Sequence, residues 1–116
     1  MTGRFGEKED VALWRVQGTL TREQVLDLGE DIAQLIKMTI VGAARVDSFP
    51  TAAGTGGAGF QAYWCWTESF LVISTWPELG FFRVYLASCR EFLPVIVTKF
   101  LEATTGPVLQ FDYAGF

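Results

Sequence analysis

Three strand-like runs follow one another between Phe60 and Ser88 with almost nothing between them, and this constrains the fold more than any other feature. "FQAYWCW" and "FLVISTW" flank the link Thr67-Glu68-Ser69. "WPELG" reads as a turn, punctuated by Pro77 and Gly80, and "FFRVYLAS" alternates again as a strand. A parallel pair needs a long crossover, whereas an antiparallel pair needs only a tight turn. The short gap therefore predicts an antiparallel hairpin and a mostly antiparallel sheet.

The flanking segments supply two helices and further strands. In "DVALWRVQG" the residues Val11, Leu13, Arg15 and Gln17 alternate with Ala12, Trp14 and Val16, which predicts a strand. Thr21 opens the capping box "TREQ". Val25, Leu28, Ile32, Leu35 and Ile36 then recur at helical spacing, predicting a helix from about Arg22 to Met38 with Gly29 as a mild weakness. "TIVGAARVDSF" suits a strand broken or bulged near Gly42. The stretch from Pro50 to Gly59 reads as a surface loop, because its glycines lack the spacing and the Lys of a phosphate-binding loop. Ser88-x-x-Glu91 is a candidate capping box for a second helix reaching about Glu102, although Pro94 moves the regular start nearer Leu93. Gly106-Pro107 ends that helix, and "VLQFDYAGF" is a last strand or extended tail.

The expected order is β-α-β-β-β-α-β. This makes an α+β fold, a two-layer sandwich with two helices on one face of the sheet, spanning 1–116 as a single domain. The face away from the helices must then carry several of Trp14, Tyr63, Trp64, Cys65, Trp66, Phe81, Phe82 and Tyr85. So many large side chains predict that this second face is buried in a homodimer or a larger protein complex.

Composition excludes several function classes. The net charge of −4 argues against a nucleic-acid partner, which would need clustered Lys and Arg. No apolar run approaches the roughly 18 residues of a membrane-spanning helix. The start "MTGRFGEKED" is polar and lacks an apolar signal segment, so a cytoplasmic location is expected. Histidine is absent, which removes Ser-His and Cys-His nucleophile pairs and His-based metal sites. Cys65 and Cys89 are too few for a disulfide scaffold and read first as small buried hydrophobes. No metal and no external cofactor are expected.

The stretch "ESFLVISTWPELGFFRVYLASC", Glu68 to Cys89, resembles the core of the small bacterial and archaeal S-adenosylmethionine decarboxylases, in which it reads approximately ESHxxxHTWPExGYxxxDxxTC. The likeness extends more loosely from the first strand to the last helix and implies that family's fold. In the family the chain cuts itself between the Glu and the Ser, and the Ser becomes a pyruvoyl group that serves as electron sink for decarboxylation. The resemblance implies Glu68 and Ser69 at the cleavage point and Cys89 as proton donor. It also implies Glu78 as the carboxylate that accepts hydrogen bonds from the substrate ribose. Trp76 and Phe70 are the aromatic candidates for an S-adenosylmethionine-like ligand. The small family enzymes also pair protomers.

Three departures bear on the self-cleavage. The family's His five residues after the cleaved Ser is here Ser74, and its second Ser, eight residues before, is here Gln61. The His next to the cleaved Ser is replaced by Phe70. Loss of one acid–base group typically costs about 10² to 10⁴ in rate. The expectation is therefore a pseudoenzyme that stays uncleaved and serves as a binding or structural subunit. The alternatives are an active pyruvoyl-dependent decarboxylase of polyamine (spermidine) biosynthesis, with pyruvoyl formed from Ser69, or a non-pyruvoyl enzyme acting on S-adenosylmethionine. Local readings compete as well: Ser69 suits a plain turn, Cys89 a buried remnant, Glu78 an exposed turn carboxylate. Trp64, Trp66, Phe70 and Trp76 suit core or interface. Glu23, Asp27, Glu30 and Asp31 read as the solvated face of the first helix.

Overall fold

The computed structural model describes residues 9–50, 58–67 and 69–115. Strand β1 (Asp10–Gln17) leads into helix α1 (Arg22–Leu35), and four strands follow: β2 (Ile40–Pro50), β3 (Ala58–Trp66), β4 (Ser69–Trp76) and β5 (Phe81–Ser88). Helix α2 (Pro94–Thr104) and strand β6 (Val108–Gly115) complete the order. The sheet has six strands in the order β2-β3-β4-β5-β1-β6, and every recorded pairing is antiparallel. The α+β sandwich is as expected, with one strand more between the helices than the expected order counts. The runs on either side of Thr67 are each a full strand.

Several local expectations find their physical basis here. The Thr21 side chain accepts from Gln24 N at 3.2 Å, while Gln24 Oε1 accepts from Thr21 N at 2.8 Å, so the capping box is complete. The register of β2 against β3 shifts between Val41 and Arg45, where Gly42 takes a positive φ of 74°. The second capping box does not form. Pro94 occupies the first turn of α2, Leu93 is the cap residue, and no side chain caps it. Ser88 instead accepts from Arg90 N at 2.9 Å in a local turn. The glycine-rich loop lies mostly outside the described residues.

The core lies between the helices and one face of the sheet. Ala12, Trp14 and Val16, then Trp64 and Trp66, Leu71 and Ile73, and Phe82, Val84 and Leu86 all point to it. They meet Val25, Leu28 and Ile32 of α1 and Val97 and Leu101 of α2. Trp14 buries its ring completely and donates Nε1–H to Thr98 Oγ1 at 2.8 Å, tying β1 to α2. Trp64 lies against α1 at Gly29, where an added Cβ would overlap the indole. That glycine is a requirement of close packing rather than a weakness. Glu23, Asp27, Glu30 and Asp31 are exposed, as the solvated helix face requires.

This core corrects the expected composition of the second face. Trp14, Trp64, Trp66 and Phe82 point toward the helices, and their burial needs no partner. In β3 every position from Tyr63 to Trp66 is large or apolar, so the alternation carried no sign. Tyr63, Cys65, Phe81 and Tyr85 do lie on the open face, with Phe70, Val72, Trp76, Val11 and Leu13 beside them. Cys65 is exposed there rather than buried. Among the described residues no helix is long and apolar enough to cross a membrane.

Candidate functional site

The β4–β5 register decides which candidate residues meet. Ser69 of β4 stands opposite Ser88 of β5, and Ser88 stands opposite Asp10 of β1. Cys89 follows directly after β5. Ser69, Phe70, Ala87, Ser88 and Cys89, with Glu9, line one open hollow of about 210 Å³ at this end of the sheet. The implied nucleophile position and the implied proton donor therefore share a site. Glu68, the residue before Ser69, lies outside the described residues.

Ser69 is half-buried on the helix side of the sheet. Its hydroxyl donates weakly to the Thr67 carbonyl at 3.4 Å and lies 3.5 Å from Met38 Sδ. Cys89 is a free, exposed thiol. It precedes the first turn of α2 by five residues, beyond the reach of a helix dipole that fades within one turn. The helix begins at Pro94 with Leu93 as its cap, where the sequence placed its regular start. Asp10, next to Ser88, is 1% exposed, and neither of its carboxylate oxygens has a hydrogen-bond partner among the described residues. Sequence reasoning missed it, since an Asp at the start of a strand reads as a solvated end.

Glu78 and Trp76 sit elsewhere. Trp76 ends β4, and Glu78 lies in the one-turn 3-10 helix Pro77–Leu79, closed by Gly80 at φ 73°. From Ser69 to Trp76 the strand advances about 23 Å, at about 3.3 Å per residue. One protomer therefore does not bring Glu78 or Trp76 to the hollow at Ser69 and Cys89. Phe70 is at the hollow, 44% exposed, its ring 5.9 Å from that of Tyr85.

The two positions where the resemblance loses its processing groups are direct neighbours. Gln61 of β3 pairs with Ser74 of β4, and Ser74 pairs with Arg83 of β5. All three belong to the open face. Ser69, of opposite parity, faces the helices, so Ser74 is both five residues along the strand and across the sheet from it. Gln61 donates its amide to Tyr63 Oη at 2.7 Å. The row continues from Arg83 to Arg15 of β1 and on to Gln110 of β6. The signal for the two arginines was present in the sequence, as single charges inside the apolar strands "ALWRVQ" and "FFRVYL". Among the described residues no group of three His, Cys, Asp or Glu could hold a metal ion.

No protein-family model and no curated protein matches the chain. Among solved structures, the adenosylmethionine decarboxylase of Aquifex aeolicus VF5 is similar, with a TM-score of 0.66 over 93% of this chain and 88% of that one. The two sequences are 16% identical, so what the likeness establishes is the fold: this chain folds as that adenosylmethionine decarboxylase does.

Proposed function

We propose that this chain is an S-adenosylmethionine decarboxylase-like protein that stays uncleaved and works as a binding subunit of an assembly. One observation carries the reading. The paired positions that the resemblance assigns to a Ser and a His hold Gln61 and Ser74; their ionisable neighbours in the row are Arg83 on one side and Asp47, itself paired with Arg45 at 3.4 Å, on the other. An amide, an aliphatic hydroxyl and a guanidinium are poor general acids and bases near neutral pH. The two positions themselves carry no acid or base matched to neutral pH, and the chain has no histidine to supply one. Within one protomer these positions also lie on the opposite face from Ser69. Even a partly competent pair would have to come from a second copy.

The assembly is expected to form through the open sheet face. Half-buried Trp76, Phe81 and Tyr85 and exposed Phe70 lie there, uncovered by either helix. The retained fold suits S-adenosylmethionine or a similar ligand, bound at sites that one protomer holds apart and an assembly can bring together.

A second reading, the active pyruvoyl-dependent decarboxylase, is favoured by the meeting of Ser69 and Cys89 at one hollow. Intact-mass measurement on purified protein separates the two. A single species near 12.9 kDa is the expected result. Two fragments meeting at Glu68/Ser69, the second blocked by pyruvoyl, would establish the decarboxylase and end the first reading.

A further inference from the structure

Two arginines stand side by side on the open face, near the end where β4 turns into β5. Arg15 and Arg83 are register partners across β1 and β5, which places their Cα atoms about 5 Å apart. Both side chains lean over the same pair of rings. Arg15 Cζ is 4.7 Å from the Phe81 centroid, and Arg83 Cζ is 5.1 Å from the Trp76 centroid. Those rings are themselves stacked, with centroids 5.2 Å apart and planes 19° from parallel.

The arrangement is electrostatically incomplete. Like charges directly opposite each other in a sheet are destabilising. Arg15 Nε is buried and has no acceptor among the described residues. The chain is acidic overall, yet the row gives the arginines only Ser74 and Gln110 as immediate neighbours, with its one carboxylate, Asp47, two strands beyond Ser74. Two carboxylates of this face are engaged elsewhere. Asp47 pairs with Arg45 at 3.4 Å, and Asp112 accepts from Gln110 at 2.8 Å. The rings occupy the faces of the guanidiniums and leave their N–H edges, the geometry that takes an oxyanion through paired charge-assisted hydrogen bonds.

We propose that Arg15 and Arg83 form an oxyanion-binding site on the open face, built to take the carboxylate or phosphate group of a small ligand. Trp76 and Phe81 are the platform that holds the two cations together. The site requires neither cleavage nor Ser69 and Cys89, but it shares the open face with the assembly proposed above, so the probe titration and the sedimentation of the probe-free chain are read separately.

The test uses the full chain with inorganic phosphate, pyrophosphate and citrate as probes, titrated at low and moderate salt. Saturable binding is expected for at least one, and the contrast between the phosphates and citrate identifies the chemistry. Binding should shift the Nε–H resonances of Arg15 and Arg83 and the indole resonance of Trp76. Arg83→Gln and Arg15→Gln should each weaken it about tenfold or more, the scale of one lost charge-assisted bond. Arg83→Lys should also lose most of the binding, because an ammonium lacks the fork. Lys99→Gln, on the exposed face of α2, should change nothing. The proposal is overturned if no probe binds saturably, or if binding leaves both arginine resonances unmoved. It is equally overturned if Arg83→Gln changes only the sedimentation of the probe-free chain, which would mean the pair meets a second copy's carboxylate.

Discussion

At the scale of single residues, Gly29 and Trp64 show how one absent methyl sets a helix position. Alanine normally favours a helix interior over glycine by about 1 kcal/mol. Here the Cβ would overlap the Trp64 indole, which is itself 1% exposed and cannot retreat. Overpacking of this kind typically costs about 1–3 kcal/mol and outweighs the propensity gain. Gly29→Ala should therefore destabilise the protein, read as a lower denaturant midpoint at unchanged m-value. A midpoint equal to or above the parent's would show that α1 can shift away from the ring. Gly106 is similarly placed, with its would-be Cβ directed at the carbonyl of Gln17, so the exit from α2 is held against the end of β1.

At the scale of elements, the register sorts the aromatic residues into two populations with opposite roles. Trp64→Glu puts a charge into the core and should unfold the chain, since losing a buried aromatic alone costs about 3–5 kcal/mol. Phe70→Glu changes an exposed position on the open face. It should leave the circular-dichroism melt nearly unchanged while shifting sedimentation from an assembly to a monomer. An unchanged sedimentation coefficient for Phe70→Glu would remove the open face as the interface.

The elements themselves were largely legible in the sequence. Thr21-x-x-Gln24, the bend at Gly42 and the late start at Pro94 each have a local cause that a short window contains. The strand faces were not legible where "AYWCW" offers bulk on both sides, because alternation carries no information when both phases are apolar. Of the candidate site, the meeting of Ser69 and Cys89 at one hollow is set by the β4–β5 register rather than by any local pattern. The separation of Glu78 from them was not legible either, since it depends on the full length of β4. The Arg15–Arg83 pair depends on register between strands nearly seventy residues apart, which no local pattern encodes.

At the scale of the whole molecule, the sheet order has a consequence in time. Strands β2 to β5 are each joined to their spatial neighbour by a short stretch of chain, so they can zip in sequence. Strand β1 is different. Asp10 finds its partners at Ser88 and Gly115, and both pairings close very long loops. Loop-closure entropy slows such contacts relative to local ones. Refolding is therefore expected to be ordered, with the four-stranded meander forming first and β1 slotting against it afterwards, followed by β6. Pulse-labelled hydrogen exchange should protect the amides of β3 and β4 before those of β1 and β6, and simultaneous protection would contradict it. Until that late step Arg15 is not beside Arg83, Trp14 is not under α2 and Asp10 is not against Ser88. The oxyanion site and the full core are thus finished by the same slow event, and an early intermediate should hold the hairpins of this fold without either.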